Sequence, residues 1–109
     1  MIGDTIAFVL WGEGCDESLA VAWVSRLRAE GRRVYLVGVS GRRVRGQYGI
    51  GLEVDIRLDE ALALVEQAEL VIVPCKESAV LSFHRDPRFH EFLERAAESG
   101  AQVVVCPEK

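Results

Sequence analysis

Four continuous apolar segments occur along the chain, separated by stretches with helical spacing. The four runs are Thr5–Trp11, Arg33–Val39, Leu70–Val73 and Gln102–Cys106. Apolar runs of four to seven residues with almost no charged side chains are typical of strands that are buried on both faces. Because such strands alternate here with amphipathic helices, the pattern predicts a parallel sheet covered by helices on both faces.

Three of the intervening segments are predicted to be helices by their apolar spacing and end signals. The first helix follows Asp16, a capping residue, and stops at Gly31. The second is predicted over Asp59–Ala68, with Asp59 as its cap. The third starts at Asp86-Pro87, where a cap precedes proline in the first turn, and ends at Gly100.

The stretch from Ser40 to Asp55 contains four glycines and favours a twisted hairpin over a helix. The whole chain, residues 1–109, is then a single α/β domain. We expect a flavodoxin-like, doubly wound parallel sheet of about four strands with an added β-hairpin. Its strands would lie in the order second, first, third, fourth.

The composition and charge of the chain argue against several classes of partner. The net charge of −4 leaves no basic field for a phosphate backbone, so we expect no nucleic-acid partner. No apolar run approaches the roughly 20 residues of a membrane span, and no signal peptide is recognisable, so we expect a soluble, cytoplasmic protein without membrane contact. Three cysteines, an odd number, fit a reducing compartment better than a disulfide scaffold. The absence of Asn and the 11 Arg among 13 basic residues favour a heat-adapted source, although a GC-rich genome gives the same bias.

All three cysteines fall where a predicted strand ends, at Cys15, Cys75 and Cys106. Ligands of open parallel sheets bind at the carboxyl ends of the strands, and neighbouring strands lie about 4.8 Å apart. Three interpretations stay open: one activated thiolate, a metal site, or small buried apolar residues. The neighbouring charged candidates are Glu13, Glu17 and Lys76, and the charge of Lys76 would lower the pKa of a nearby thiol.

The chain resembles the ThiJ/PfpI family, which belongs to the class I glutamine-amidotransferase-like superfamily. The resemblance is carried by AFVLWGEGCDE, a helix ending LRAEG, RVYLVGVSG, VRGQYGIGLEVDIRLDEAL and LVIVP. Its most specific part is Val44–Leu58, with a glycine before and after Tyr48 and an aspartate at Asp55. The similarity covers only the first half to two-thirds of a typical family domain, so we expect a domain truncated after the strand that bears Cys106.

The resemblance implies that Cys106 occupies the position of the family's nucleophile. A family glutamate hydrogen-bonds that sulfur; without gaps its position falls on Leu19, and Glu17 would serve if the loop is shifted. The residue after the family's cysteine donates a backbone N–H, which Pro107 lacks. The family's Pro-Gly-Gly turn is replaced by Pro74-Cys75-Lys76, and the elbow helix after the nucleophile would be missing.

We therefore expect a domain without the family's usual hydrolase or amidotransferase activity. It would act through a reactive thiol, or bind a small molecule, at the carboxyl strand ends, and no cofactor is expected. One alternative is an interaction module that forms a homodimer or pairs with another chain, which would cover its exposed edge. Another is an enzyme whose missing half comes from a second chain.

Overall fold

Five parallel strands form one sheet in the computed structural model, which describes residues 5–40 and 44–105. The strands are β1 (Ile6–Trp11), β2 (Val34–Gly38), β3 (Ile56–Arg57), β4 (Ala68–Val73) and β5 (Gln102–Val105). They lie in the order β3-β2-β1-β4-β5. The predicted α/β class and the order of the four main strands are confirmed.

The central strand β1 is fully buried because it has neighbours on both edges and both faces. All six of its residues are inaccessible to solvent. It pairs with β2 from Ala7–Val34 to Trp11–Gly38, and with β4 on the opposite edge. This explains why the run contains no polar side chain, since any polar group there would be buried without solvent.

Four helices connect the strands: α1 (Glu17–Ala29), α2 (Leu58–Leu62), α3 (Glu77–Phe83) and α4 (Pro87–Glu98). The caps predicted for α1 and α4 are confirmed. Asp16 Oδ1 accepts the Leu19 N–H at 3.0 Å, and Asp86 Oδ1 accepts the Arg88 N–H at 2.9 Å. The glycine that follows α4, Gly100, has a φ of +92°. None of these described helices has the length and apolar character needed to cross a membrane.

The two faces of the sheet are covered by different helices. Phe8 of β1 packs edge-on against Phe92 of α4, with ring centroids 5.2 Å apart. Trp11 lies three residues further along the strand and therefore points to the opposite face. There it borders Gly46 together with the Glu17 side chain of α1. The prediction of helices on both faces is confirmed.

The predicted hairpin is where the structure differs most from expectation. Within residues 44–55 it is reduced to one antiparallel bridge, between Arg45 and Gly51. The chain then forms the two-residue strand β3, which pairs in parallel with β2 and becomes a fifth strand. A strand of two residues has no periodicity to detect, so this edge was missed.

The helices on either side of β4 also differ from the prediction. The helix expected over Asp59–Ala68 is split into α2 and a 3-10 turn at Val65–Gln67, and Arg57 takes the capping position in place of Asp59. The segment after Pro74, interpreted as a loop, contains α3. Its only apolar signal is the spacing of Ala79, Val80 and Phe83, too short a pattern to decide by itself.

Candidate functional site

The loops that follow β1 and β4 meet at the carboxyl edge of the sheet. These two strands are neighbours, so Cys15 and Cys75, which follow them, are brought together with Cα atoms 4.0 Å apart. Their sulfurs form a disulfide. The expectation of unpaired thiols is therefore wrong for this pair, because strand order places side chains 60 residues apart in contact.

The disulfide is enclosed by main-chain contacts. The N–H of Asp16 donates to the Pro74 carbonyl at 2.8 Å, which ties the two loops together beside the sulfurs. The Gly12 N–H donates to Cys15 Sγ at 3.3 Å. Cys15 is fully buried and Cys75 is 3% exposed, so the disulfide lies in the interior of the domain.

The third candidate cysteine, Cys106, lies outside the described residues. β5 ends at Val105, which is paired with Val73 at the end of β4. The nucleophile position that the resemblance assigns to Cys106 stays a prediction. Over residues 5–40 and 44–105, no group of three or more His, Cys, Asp or Glu side chains is arranged to hold a metal ion.

Glu17 is a buried carboxylate with a defined set of donors. It is 4% exposed and lies under the segment of residues 44–51, hereafter the 44–51 loop. Its Oε2 accepts the N–H groups of Ile50 at 2.8 Å and Tyr48 at 3.0 Å, and Oε1 accepts the Tyr48 N–H at 3.1 Å. This carboxylate therefore anchors the loop; its predicted partnership with Cys106 stays a prediction.

These hydrogen bonds keep Glu17 ionised. Burial raises the pKa of this carboxyl, but the backbone N–H groups of Ile50, of Glu17 itself and of Tyr48 lower it by more. The pKa consequently lies below its usual value of 4.5. A charged, acceptor-only carboxylate is the form that can hold two backbone donors at once.

The remaining predicted site residues, Glu13 and Lys76, are exposed side chains on the same two loops. Lys76 follows Cys75 directly and occupies the position before α3. Lys76 was predicted to lower the pKa of a neighbouring thiol, but Cys75 has no free thiol while it is in the disulfide. Their predicted role in binding stays untested.

Sequence reasoning missed the 44–51 loop as part of this edge. The Gln47 N–H donates to the Cys15 carbonyl at 2.7 Å, and Gly46 is packed so closely that a Cβ would lie 2.5–2.6 Å from Glu17, Trp11 and the Cys15 carbonyl oxygen. The loop presents Tyr48 and Ile50 to solvent, 62% and 55% exposed. The available signal was a tyrosine and an isoleucine inside a glycine-rich, otherwise polar segment.

An open groove of about 700 Å³ lies beside the carboxyl end of β2. It runs between Ser40 and the junction of α3 with α4, where Phe83 forms an apolar wall and Arg85 and Arg88 supply charge. Asp86 pairs with Arg88 at 2.8 Å. The lining residues do not include any of the predicted site residues.

The α/β fold with its five-stranded parallel sheet matches the DJ-1/ThiJ/PfpI fold, as the resemblance predicted. Drosophila melanogaster DJ-1beta superposes with a TM-score of 0.83 at 16% identity, over 94% of this chain and 54% of that one. Toxoplasma gondii DJ-1 in its oxidised form gives 0.79 at 19% identity, over 93% and 54%. A variant of the DJ-1 superfamily protein STM1931 from Salmonella typhimurium gives 0.78 at 21% identity, over 93% and 54%.

The chain thus spans about half the length of the structures that it matches. At these identities the likeness concerns the fold, and function must be argued from the site. The sequence matches no protein-family model and no curated protein.

Proposed function

We propose that this DJ-1-fold domain acts through thiol and disulfide chemistry at the carboxyl ends of β1 and β4, without the hydrolase or amidotransferase activity usual in the ThiJ/PfpI family. The observation that carries the proposal is the Cys15–Cys75 disulfide, formed between loops that follow neighbouring strands. Two equivalents of a small thiol would convert it to two protein thiols, with release of the oxidised small disulfide. One structure with this fold is described as oxidised DJ-1, which is consistent with redox chemistry on this scaffold.

Two features argue against the family's usual chemistry. Both oxygens of Glu17 accept backbone N–H groups of the 44–51 loop, so the carboxylate is already committed. The turn that supplies backbone donors in the family contains Cys75 and Lys76 in place of two glycines, and Cys75 is engaged in the disulfide. These two features favour a thiol pair over an acyl-transfer site at the carboxyl edge of the sheet.

The test is a redox titration of the native protein, read by differential alkylation and mass spectrometry. We expect Cys15 and Cys75 to become alkylated together, in one reversible transition, as the ratio of reduced to oxidised dithiol increases. Cys106 serves as an internal reference, because its labelling should not follow that transition. A pair that becomes accessible to reductant only when the protein is unfolded in urea would refute the proposal and leave the disulfide as a structural crosslink.

A second candidate function is an interaction module, and a specific surface favours it. Val21 of α1 is 49% exposed, and its exposed neighbours Ser18, Ala22 and Ser25 are small and uncharged. Val21 and Leu52 line a groove of about 210 Å³, together with the charged residues Arg28, Glu53 and Asp55. An exposed apolar side chain beside a groove of this kind favours a surface that binds a partner.

We propose a second copy of this chain as the partner. An acidic side chain, Glu13, stands before α1, and Arg26 lies in its last turn. In a twofold pair with antiparallel α1 helices, the basic last turn of each helix would approach the Glu13 end of the other, which favours this orientation. A second copy with its α1 helix antiparallel would therefore present the complementary charges.

Light scattering with a matched pair of variants tests the dimer. Val21→Glu places a charge in the proposed interface and should convert the dimer to a monomer. Leu81→Glu, at an apolar residue of α3 that is 65% exposed, should leave the mass unchanged. A wild-type protein that is monomeric at high concentration, or equal effects of both variants, would contradict the assignment.

A further inference from the structure

The 44–51 loop is closed internally by its own hydrogen bonds. Gly46 donates to the Ile50 carbonyl at 2.9 Å, and Gly49 donates back to the Gly46 carbonyl at 3.1 Å. The Arg45 guanidinium donates to the Gly49 carbonyl at 2.7 Å. Gly49 has a φ of +84°, which the turn requires. A displacement at the base of this loop is therefore transmitted to its tip.

The base of the loop is attached to the segment that contains Cys15. The Cys15 carbonyl accepts the Gln47 N–H, and the Glu17 carboxylate accepts two more backbone donors of the loop. The Trp11 indole N–H donates to the Val44 carbonyl at 3.4 Å. Gly46 packs so closely against Cys15, Glu17 and Trp11 that a Cβ would not fit. The position of the loop consequently depends on the position of the Cys15 backbone.

The disulfide fixes the Cys15 backbone together with the hydrogen bond from the Asp16 N–H to the Pro74 carbonyl. Reduction replaces one covalent bond with two thiols, and each thiol needs its own non-bonded position. Cys15 is fully buried, Cys75 is 3% exposed and their Cα atoms lie 4.0 Å apart, so two separate sulfurs have little room between the loops. We expect the backbone of one of the two loops to shift when the bond is broken.

We infer that the redox state of Cys15–Cys75 sets the position of the 44–51 loop, and thereby controls how its exposed side chains, Tyr48 and Ile50, are presented. The disulfide form holds the loop on Glu17 and presents these two side chains for a second copy of the chain; the dithiol form releases the loop. The inference rests on both proposed functions, since it couples the thiol pair to the dimer. Because both cysteines are buried, a small thiol reaches them through local opening of the edge, so the switch responds slowly.

Hydrogen exchange of oxidised and reduced protein tests the coupling. Reduction should accelerate exchange of the Gln47, Tyr48 and Ile50 amides by at least about tenfold, while those α4 amides that exchange by local fluctuation, independently of global unfolding, keep their protection. It should also weaken the dimer. Unchanged exchange in the loop would refute the inference, as would an equal acceleration of these α4 amides, because that would describe a general loosening of the fold.

Two variants separate this inference from the functions on which it rests. Glu17→Gln removes the charged acceptor while keeping the disulfide, and should reproduce the faster loop exchange and the weaker dimer; Glu98→Gln, an exposed glutamate at the end of α4, is the matched control. Cys15→Ala/Cys75→Ala, which lacks both sulfurs, should make loop exchange insensitive to reductant. If the pair is reduced reversibly but the loop and the dimer do not respond, the thiol function stands and the coupling is refuted. If the native pair resists reduction, the thiol function itself fails and redox control fails with it.

Discussion

The crosslink between Cys15 and Cys75 should dominate the stability of this domain. It joins residues 60 positions apart, and without it the unfolded chain regains the freedom of that whole loop. The chain-entropy relation for a loop of this length gives about 4 kcal/mol at 25 °C. For a domain of this size, a loss of that magnitude lowers the melting temperature by roughly 15 °C.

The measurement is urea denaturation of oxidised wild type, reduced wild type and Cys15→Ala/Cys75→Ala. The reduced protein and the double variant should both lose about 4 kcal/mol and differ from each other only through local packing. Both should also show a larger m-value, because an unfolded chain without the crosslink exposes more surface. Lys76→Ala, in the same loop but outside the crosslink, is the control and should change stability by less than about 0.5 kcal/mol.

Two results would refute this reasoning. A loss below about 1 kcal/mol would mean that the unfolded chain already keeps the two loops together. A loss of the expected size with an unchanged m-value would place the effect in the native state, not in the unfolded chain.

Three further predictions concern contacts around the edge and the core. Because the pKa of Glu17 is lowered in the folded state, its contribution to stability is fully present above the usual pKa of 4.5 and is lost as the pH falls through the folded-state pKa. The stability of Glu17→Gln should therefore depend less on pH below 4.5 than that of the wild type. Parallel curves of stability against pH would contradict this. Gly46→Ala should lower the free energy of unfolding by about 1–3 kcal/mol in chemical denaturation, because the added methyl group meets the Cys15 carbonyl. Gly51→Ala is the control, since the nearest atom to its added methyl group would lie 3.8 Å away. Equal losses in the two variants would count against the packing argument. Phe92→Ala should cost about 3–5 kcal/mol, since the ring is fully buried against Phe8; a loss under 1 kcal/mol in calorimetry would show that the cavity collapses.

The two best-predicted helices carried their signals within a few residues. For α4, the Asp86 cap, the following proline and the terminating Gly100 all lie inside or beside the helix, and its apolar side chains recur at helical spacing. Interactions between residues three or four apart are set by local geometry, so a sequence displays them directly. By contrast, α3 has seven residues and no side-chain cap, and its signal was too weak to distinguish it from a loop.

The candidate site was predictable as a location but not as an arrangement. Cys15 and Cys75 were expected at the carboxyl edge because each follows an apolar run, and the structure places them there. Their pairing was not expected, since it depends on how close the two loops come. The role of Glu17 as the anchor of the 44–51 loop was also missed, because its donors, Tyr48 and Ile50, are more than 30 positions away.

By itself the sequence determined the α/β class, the alternation of buried strands and helices, and the edge at which Cys15 and Cys75 lie. Those features follow from apolar periodicity and from end signals that act over a few residues. Only the tertiary structure decided that β3 completes the sheet, that Cys15 bonds to Cys75 and that Glu17 holds the 44–51 loop. The physical reason is that contacts between distant residues depend on strand register and loop path, which are fixed by the packing of the whole domain.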